Sequence, residues 1–237
     1  SFIPNIERPL YNNKVFKEDE FVKLSTIGSS NTSVIQLAYH IENERLYCIK
    51  STNSDEEQKL LEREIANYQK LYNPLICYFY GTISNNRKSL VIEFIDGKTL
   101  DSYINDANIE EKYILIYQIM LVIKYLHSMH FVYRDLKPNN IIFNGYHAVL
   151  IDFDQMIESD RKDITSTCEF TRNFGTSFSA PEICEGNCRP SYKTDVYSIG
   201  MMIYYILMKN DQLNLDTFKE KYPIHYNMYQ KCTEEDQ

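Results

Sequence analysis

The sequence predicts an α+β fold in which the strands precede most of the helices. Runs of β-branched and aromatic residues bounded by polar turns predict early strands at residues 21–27, 34–41, 45–50, 75–83 and 89–94. Helical periodicity dominates later, with long segments at residues 110–130 and 195–209. A chain of 237 residues, 43% of them hydrophobic, can bury a sizeable core and forms one large domain or two small lobes.

The charge balance excludes some classes of partner. Lys and Arg number 25 against 33 Asp and Glu, so the net charge is −8, and no basic stripe indicates nucleic-acid binding. No uncharged apolar run is long enough to span a membrane, and no signal peptide opens the chain. The chain begins with Ser1 instead of Met, so we expect flanking domains in a longer protein.

The cysteines indicate a reducing compartment. Six are scattered along the chain, only Cys184 and Cys188 are close in sequence, and no Cys-x-x-Cys pair predicts zinc. Free thiols are typical of a reducing environment, so we expect the protein to be cytoplasmic.

The periodicity also predicts which helical residues are buried. Residues 1–17 show no period and are predicted to be an extended lead-in. Ser54 is the predicted cap of a helix over residues 54–71, and Asn73-Pro74 ends it. Its buried face is predicted to contain Leu61, Ile65, Tyr68 and Leu71. The predicted buried face of helix 110–130 contains Ile114, Tyr117, Gln118, Leu121, Tyr125 and Leu126. His127 and His130 are predicted to be capping or surface residues, and shorter helices are predicted at residues 100–104, 213–222 and 224–232.

The stretch with the strongest chemical signal is residues 132–143. It leaves an apolar helical segment and enters a β-branched run, so it is predicted to be a loop. Within it lie Arg134, Asp135, Lys137 and Asn140. Phosphoryl transfer needs a carboxylate to orient a hydroxyl, a cation near the phosphate and an oxygen ligand for a metal.

Residues 133–140, Y-R-D-L-K-P-N-N, resemble the catalytic loop of eukaryotic protein kinases, H-R-D-L-K-P-x-N. The resemblance implies that Asp135 orients the substrate hydroxyl, that Lys137 offsets charge on the γ-phosphoryl group and that Asn140 binds Mg²⁺. It also implies that Arg134 pairs with a phosphorylated residue of the activation segment.

A second motif follows at residues 152–154, where D-F-D resembles the family's D-F-G. Asp152 keeps the carboxylate that binds Mg²⁺. Asp154 replaces the flexible glycine, which implies a stiffer switch in this segment.

The first part of the chain resembles the nucleotide-binding lobe of the same family. Residues 28–33 resemble the glycine-rich loop G-x-G-x-x-G, with Gly28 retained and with Ser30 and Ser33 in the other two places. Lys50 corresponds to the lysine that binds the α- and β-phosphates. Glu64 is its predicted ion-pair partner, with Glu62 as the fallback.

Residues 93–98 resemble the linker between the two kinase lobes, whose backbone binds adenine. The adenine-binding residues implied are Glu93 and Ile95 in the linker, with Ile35, Cys48 and Ile142 around the ring. We draw the boundary near Ile95, giving an N-terminal lobe of residues 1–95 and a C-terminal lobe of residues 96–237.

Residues 152–182 resemble an activation segment. Its candidate phosphorylation sites are Thr165, Ser166, Thr167 and Thr171. It closes on residues 175–182, which resemble G-T-x-x-x-x-A-P-E with one residue missing where peptide substrates dock. Thr176 and Lys137 point to serine/threonine specificity.

Three structural features are implied as well. Residues 195–200 resemble D-V-W-S-x-G, whose aspartate, here Asp195, accepts hydrogen bonds from the catalytic-loop backbone. The members of an aromatic column that stacks between the lobes would be Tyr68, Phe79, Tyr133 and Phe153. The chain stops before the arginine that pairs with Glu182, so the last helix of the family is expected to be missing.

The resemblance therefore implies a two-lobed protein-kinase-like fold, with a small lobe of five antiparallel strands and one helix and a larger helical lobe. It implies an ATP- and Mg²⁺-dependent serine/threonine protein kinase acting on a hydroxyl of a protein substrate. A pseudokinase or scaffold is the first alternative, favoured by Ser30, Ser33, Asp154 and the short docking segment. A small-molecule phosphotransferase of kinase-like fold is the second, because several such families carry a similar I-D-F-D stretch.

Overall fold

The computed structural model describes residues 13–29, 33–84, 88–159, 177–184, 191–210 and 212–234, apart from the side chains of Glu182 and Cys184. The chain forms two compact units, Ser1–Asp96 and Gly97–Gln237. The first is built on a sheet and the second mainly on helices, so the predicted α+β class, with strands before helices, is confirmed.

The first unit contains a six-stranded sheet and one α-helix. The strands are β1 (Lys14–Phe16), β2 (Phe21–Ser29), β3 (Ser33–His40), β4 (Arg45–Thr52), β5 (Phe79–Ser84) and β6 (Lys88–Glu93). Their order across the sheet is β1-β5-β6-β4-β3-β2. Neighbouring strands from β5 to β2 pair antiparallel, whereas β1 pairs parallel with β5.

Strand β1 corrects two expectations. The sheet has six strands instead of five, and the segment predicted to be an extended lead-in without a period contains one of them. Residues 14–16 form a strand because Phe16 is buried. Its side chain is only 3% exposed and packs in a core cluster with Phe21, Tyr47, Ile83 and Val91. One buried aromatic side chain anchors this three-residue strand, which is too short to show a period.

The helix of the first unit, α1 (Asp55–Tyr68), begins as the sequence predicts. Ser54 accepts a hydrogen bond from the backbone N–H of Glu57, and the Glu57 carboxylate accepts one from the backbone N–H of Ser54. This reciprocal capping satisfies two amides at the helix start. The predicted buried side chains of Leu61, Ile65, Tyr68 and Leu71 are buried.

The second unit contains most of the helices, joined by short strands. The helices are α2 (Leu100–Tyr103), α3 (Ile109–Ser128), α4 (Pro181–Cys184), α5 (Tyr192–Met208), α6 (Leu215–Lys221) and α7 (Pro223–Thr233). The strands are β7 (Lys98–Thr99), β8 (Phe131–Val132), β9 (Ile141–Phe143), β10 (Ala148–Leu150) and β11 (Ile157–Glu158). They form the small sheets β10-β9-β7 and β11-β8.

The predicted buried face of α3 is wrong at three of its six residues, whereas Leu126 is buried and Gln118 and Tyr125 are half-buried. Ile114, Tyr117 and Leu121 are exposed to 46%, 63% and 39%. The buried residues are Lys112, Leu115, Ile116, Ile119, Val122, Ile123 and Leu126. Because this helix carries apolar side chains around most of its circumference, periodicity identified the helix but not its orientation.

Helix α5 is the central helix of the second unit. Ser191 caps its start by accepting a hydrogen bond from the backbone N–H of Lys193. Gly200 allows α7 to approach closely, since a Cβ at this position would lie 2.8 Å from Cβ of Cys232. Within the described part of the chain, no helix combines the length and apolar character needed to cross a bilayer.

Candidate active site

The loop between β8 and β9 carries the candidate catalytic residues. Pro138–Asn140 forms a short 3₁₀ turn directly before β9, with Pro138 at its start, where a missing N–H costs nothing. Arg134 adopts a left-handed backbone conformation with φ +74°, and Asp152, after β10, does so with φ +66°. Strained backbone of this kind in residues other than glycine is concentrated at functional sites.

Asp135, Lys137 and Asn140 come together in this loop. Nζ of Lys137 lies 2.9 Å and 2.8 Å from the two carboxylate oxygens of Asp135. Nδ2 of Asn140 donates to Oδ2 of Asp135 at 2.8 Å and to its backbone oxygen at 2.9 Å. The carboxylate is therefore held from two sides.

Two opposing effects act on the carboxyl group of Asp135. Burial disfavours its charged form and raises its pKa above the ordinary aspartate value, whereas the Lys137 ammonium and the Asn140 amide lower it. The net shift is upward, so this carboxylate binds a proton more readily than a solvated aspartate does.

Asn140 and Asp152 lie at the same end of the β9–β10 hairpin. The backbone N–H of Ile151 donates to the backbone oxygen of Asn140 at 2.9 Å, and the next residue is Asp152. The backbone N–H of Asp154 lies 3.4 Å from Oδ1 of Asp152. The described residues contain no cluster of three or more His, Cys, Asp and Glu side chains suited to a metal.

Asp195 fixes the start of the catalytic loop. Its side chain is fully buried; Oδ2 accepts from the backbone N–H of Tyr133 at 2.9 Å, and Oδ1 accepts from that of Arg134 at 2.8 Å. The predicted hydrogen bonds from the loop backbone to Asp195 are confirmed.

His127 corrects another expectation. Its Nε2 lies 2.8 Å from Oδ2 of Asp195, and its side chain is only 19% exposed. The prediction of a capping or surface residue is therefore wrong for His127. Its position in the last turn of α3 gave no indication of a partner 68 residues further along the chain.

Tyr133 and Phe153 pack against each other beneath the loop. Their ring centroids lie 5.5 Å apart in an edge-to-face arrangement, and both side chains are fully buried. The Tyr133 hydroxyl donates to the backbone oxygen of Ile151 at 2.7 Å. Burial, together with the nearby carboxylates of Asp135, Asp152 and Asp154, raises the tyrosine pKa well above its ordinary value, so the phenol stays protonated as a donor.

The first unit contains a buried ion pair. Nζ of Lys50 on β4 lies 2.8 Å from Oε2 and 3.1 Å from Oε1 of Glu64 on α1. Glu62, the fallback partner, instead lies 3.3 Å from Nζ of Lys88, with both of these side chains about half exposed. Glu64 is therefore the partner of Lys50.

The other predicted nucleotide-binding residues of the first unit lie on the same sheet. Gly28 pairs with Ile35 across β2 and β3, and Ser33 is the first residue of β3. Cys48 pairs with Leu37 on β3 and with Ile92 on β6. Burial, with the nearby Glu93 carboxylate, raises the pKa of the Cys48 thiol to about 12. Ser30 lies outside the described residues.

The predicted linker begins at a buried glutamate. The Glu93 backbone N–H donates to Tyr78 O at 2.8 Å, and its Oε2 accepts from the Tyr78 N–H at 3.1 Å. Ile95 is half-buried in the first unit. In the second unit, Ile142 of β9 is half-buried and pairs with Thr99 and Val149.

Several predicted sites fall outside the described residues. These are the candidate phosphorylation sites Thr165, Ser166, Thr167 and Thr171, together with Thr176 and the side chain of Glu182. Ala180, next to them in the chain, is described and buried.

Comparison with known proteins extends over almost the whole chain. Residues 21–236 match the family model described as Protein kinase domain. Serine/threonine-protein kinase nekl-2 of Caenorhabditis elegans is 32% identical over 170 residues, 65% of this chain and 46% of that protein. Serine/threonine-protein kinase D of Synechocystis sp. is 30% identical over 219 residues, 84% of this chain and 42% of that protein.

A further relative is mitogen-activated protein kinase kinase 7 of Arabidopsis thaliana. It is 27% identical over 207 residues, which are 82% of this chain and 66% of the relative. The chain thus spans less than half the length of the nekl-2 and kinase D relatives.

Proposed function

The chain belongs to the protein kinase family, and we propose that it transfers the γ-phosphoryl group of Mg-ATP to a serine or threonine hydroxyl of a protein substrate. The observation that carries this proposal is the contact of Lys137 and Asn140 with the carboxylate of Asp135. A carboxylate, a cation and an amide in one short loop supply the parts that phosphoryl transfer requires.

Asp135 is the proposed acceptor of the substrate proton. The hydroxyl oxygen of the substrate bonds to the γ-phosphorus, the bond to the bridging oxygen breaks and ADP leaves. The hydroxyl proton passes to the Asp135 carboxylate, which the raised pKa suits for the task. Lys137, which lies beside that carboxylate, offsets negative charge on the transferred group.

Asn140 and Asp152 are the proposed ligands of Mg²⁺. Both offer oxygen atoms, which this hard cation prefers, and Mg²⁺ in such sites takes its remaining ligands from water and phosphates. A site with only two protein ligands is compatible with the lack of a larger cluster among the described residues. The bound cation would neutralise charge on the phosphates. Because Nδ2 of Asn140 donates to Asp135, its amide oxygen is left for the metal.

Further residues are proposed to contact ATP. Lys50, held by Glu64, would bind the α- and β-phosphates. The backbone around Gly28, Ser30 and Ser33 would cover the phosphates. Proposed contacts of the adenine ring are Glu93, Ile95, Ile35, Cys48 and Ile142. The two lobes proposed for this function are residues 1–95 and 96–237.

Serine/threonine specificity and a cytoplasmic location are further parts of the proposal. Lys137, two residues after Asp135, supports the specificity, and so do the printed names of the nekl-2 and kinase D relatives. The free thiols of Cys48, Cys77 and Cys232 are consistent with a reducing compartment. A protein substrate with a serine or threonine hydroxyl and flanking domains in a longer protein are also part of the proposal.

A nucleotide-binding pseudokinase is the second candidate. Ser30 and Ser33 replace glycines where backbone must approach phosphates, and Asp154 replaces the glycine of D-F-G. Against it stands the complete set of polar groups, from Lys50 and Glu64 to Asp135 and Asp152, which binding alone would not require. A small-molecule phosphotransferase ranks third, since residues 195–200 resemble a protein-kinase motif.

A radiolabelled phosphate transfer assay tests the proposal. The purified chain is incubated with Mg²⁺, γ-labelled ATP and a generic protein substrate, beside Asp135→Asn and the matched control Asp216→Asn, whose side chain is exposed in α6. We expect transfer by the parent and the control and a loss of about 10²–10⁴-fold in Asp135→Asn. Equal transfer by parent and Asp135→Asn would overturn the role of Asp135. ATP binding without transfer would favour the pseudokinase.

A further inference from the structure

Strand β1 lies against β5 only because residue 81 is glycine. The register places Lys14 beside Gly81 and Phe16 beside Ile83. Gly81 has φ +152°, and a Cβ built there would lie 2.0 Å from the backbone oxygen of Lys14. Because the clash is with backbone, no side-chain rotation could relieve it. The absence of a side chain at residue 81 therefore permits β1 to pair with β5.

Phe16 links β1 to the strand that carries Lys50. Its ring lies 6.3 Å from that of Tyr47 and 5.3 Å from that of Phe21, measured between centroids. Tyr47 is on β4, three residues before Lys50. The buried side chain of Phe16 thus packs against β4, the strand that contains Lys50.

The residue before β1 contacts the helix that carries Glu64. Nε2 of Gln69, directly after the end of α1, donates to Oδ1 of Asn13 at 2.7 Å. The preceding residue, Tyr68, stacks on Phe79 of β5 with centroids 6.0 Å apart. These two contacts hold the last turn of α1 against β5 and Asn13. Glu64 lies one helical turn before Tyr68 and is therefore close to this held end of the helix.

We propose that residues 13–16 act as a positioning strand for the Lys50–Glu64 ion pair. By packing against β4 and β5 and holding the end of α1, they keep the two partners of the pair at 2.8 Å. Displacement by about 1 Å in a catalytic constellation is enough to lower a rate by orders of magnitude. The catalytic consequence rests on the proposed function, whereas the structural consequence does not.

Hydrogen–deuterium exchange of the full 237-residue chain tests the structural consequence without requiring activity. The variant Gly81→Ala is designed to displace β1. Its matched control is Gly145→Ala, because Gly145 also has positive φ, at +94°, but nothing lies within 4 Å of a built Cβ. We expect Gly81→Ala to speed exchange at residues 14–16 and, by about tenfold, at residues 61–68. Gly145→Ala should leave both segments at the parent rate.

The variant Asn13→Ala covers the case in which Gly81→Ala fails to fold. Its hydrogen bond to Gln69 is exposed, so the fold does not depend on it. We expect a two- to threefold increase in exchange confined to the last turn of α1. Parent-like exchange there in Asn13→Ala, or fast exchange at residues 14–16 with an unchanged α1 in Gly81→Ala, would overturn the positioning role.

Kinetics then separate this role from the proposed function. If the parent transfers phosphate, we expect Gly81→Ala to lower kcat about tenfold while KM for the protein substrate stays within twofold. If Gly81→Ala shows faster exchange in α1 but keeps the kcat of the parent, the catalytic consequence is overturned. A parent without transfer contradicts the proposed function alone, and the exchange result still decides whether residues 13–16 hold α1.

Discussion

Lys50 and Glu64 form an ion pair that is almost completely withdrawn from solvent, with side chains 8% and 1% exposed. Removing two charges from water costs free energy that their attraction repays only with good geometry. Here both carboxylate oxygens of Glu64 lie within 3.1 Å of one ammonium group. The sheet and α1 must therefore hold these two side chains together closely.

Replacing Glu64 should damage both stability and transfer. In Glu64→Gln the Lys50 ammonium stays buried and loses the charge of Glu64, so we expect a loss of about 3 kcal/mol in the free energy of unfolding, measured in urea. Glu62→Gln is the matched control on the same helix; it breaks a half-exposed pair with Lys88 and should cost less than about 1 kcal/mol. Equal losses in the two variants would contradict this assignment.

Replacing Lys137 should move the pH dependence of activity. The Lys137 ammonium lowers the pKa of Asp135 against the stronger effect of burial. Without it the carboxylate becomes protonated at higher pH, and a protonated Asp135 cannot accept the substrate proton. We therefore expect the acidic limb of the kcat/KM profile to shift to higher pH in Lys137→Gln. A limb that stays in place or moves to lower pH would show that Asp135 does not control it.

Replacing Asp195 should loosen the catalytic loop. Its two oxygens accept from two backbone N–H groups and contact His127. In Asp195→Asn one acceptor becomes a donor in a buried site, so we expect a loss of about 3 kcal/mol in stability and faster amide exchange at residues 133–134. His127→Ala, which removes one partner, should cost about 1 kcal/mol. Unchanged exchange in Asp195→Asn would contradict the anchoring role.

Lys112 should make stability depend on alkaline pH. It is buried in α3, where Nζ donates to the backbone oxygen of Leu207. Burial, and then the charge of Lys209, lower its pKa from 10.5 to about 8. The native state thus holds fewer protons than the unfolded state between these values, and stability rises as pH increases through them.

The comparison with Lys112→Met isolates this contribution. We expect the methionine variant to be more stable than the parent at pH 7, because it removes a buried charge. We expect the difference to shrink by about 1 kcal/mol between pH 7 and pH 9, as Lys112 in the parent loses its proton. A stability difference independent of pH in urea titrations would contradict the lowered pKa.

The sequence predicted well where local chemistry decides the structure. The capping of α1 by Ser54 depends only on residues at the start of that helix. The hydrogen bonds from the catalytic-loop backbone to Asp195 were predicted from the motif of residues 195–200, whose aspartate needs backbone donors. The pairing of Lys50 with Glu64, and not with Glu62, was likewise anticipated. The convergence of Lys137 and Asn140 on Asp135 follows because all three lie in one short loop.

Long-range packing explains what the sequence did not predict. The buried face of α3 was misassigned because apolar residues surround that helix, and only its neighbours select Leu115 and Ile119 over Ile114. His127 contacts Asp195 from a distant part of the chain. The sequence does carry one indication of strand β1, since Gly81 is an isolated glycine within a predicted strand, which indicates close approach of another backbone.

The most direct test of the central claim is mass spectrometry of the purified chain after incubation with Mg²⁺ and ATP, beside Asp152→Asn. We predict phosphate on serine or threonine between Asp154 and Ala180, or on a generic protein substrate, in the parent but not in Asp152→Asn. Phosphate in neither sample, with ATP still raising the melting temperature of the parent, would contradict the kinase proposal and favour a nucleotide-binding pseudokinase.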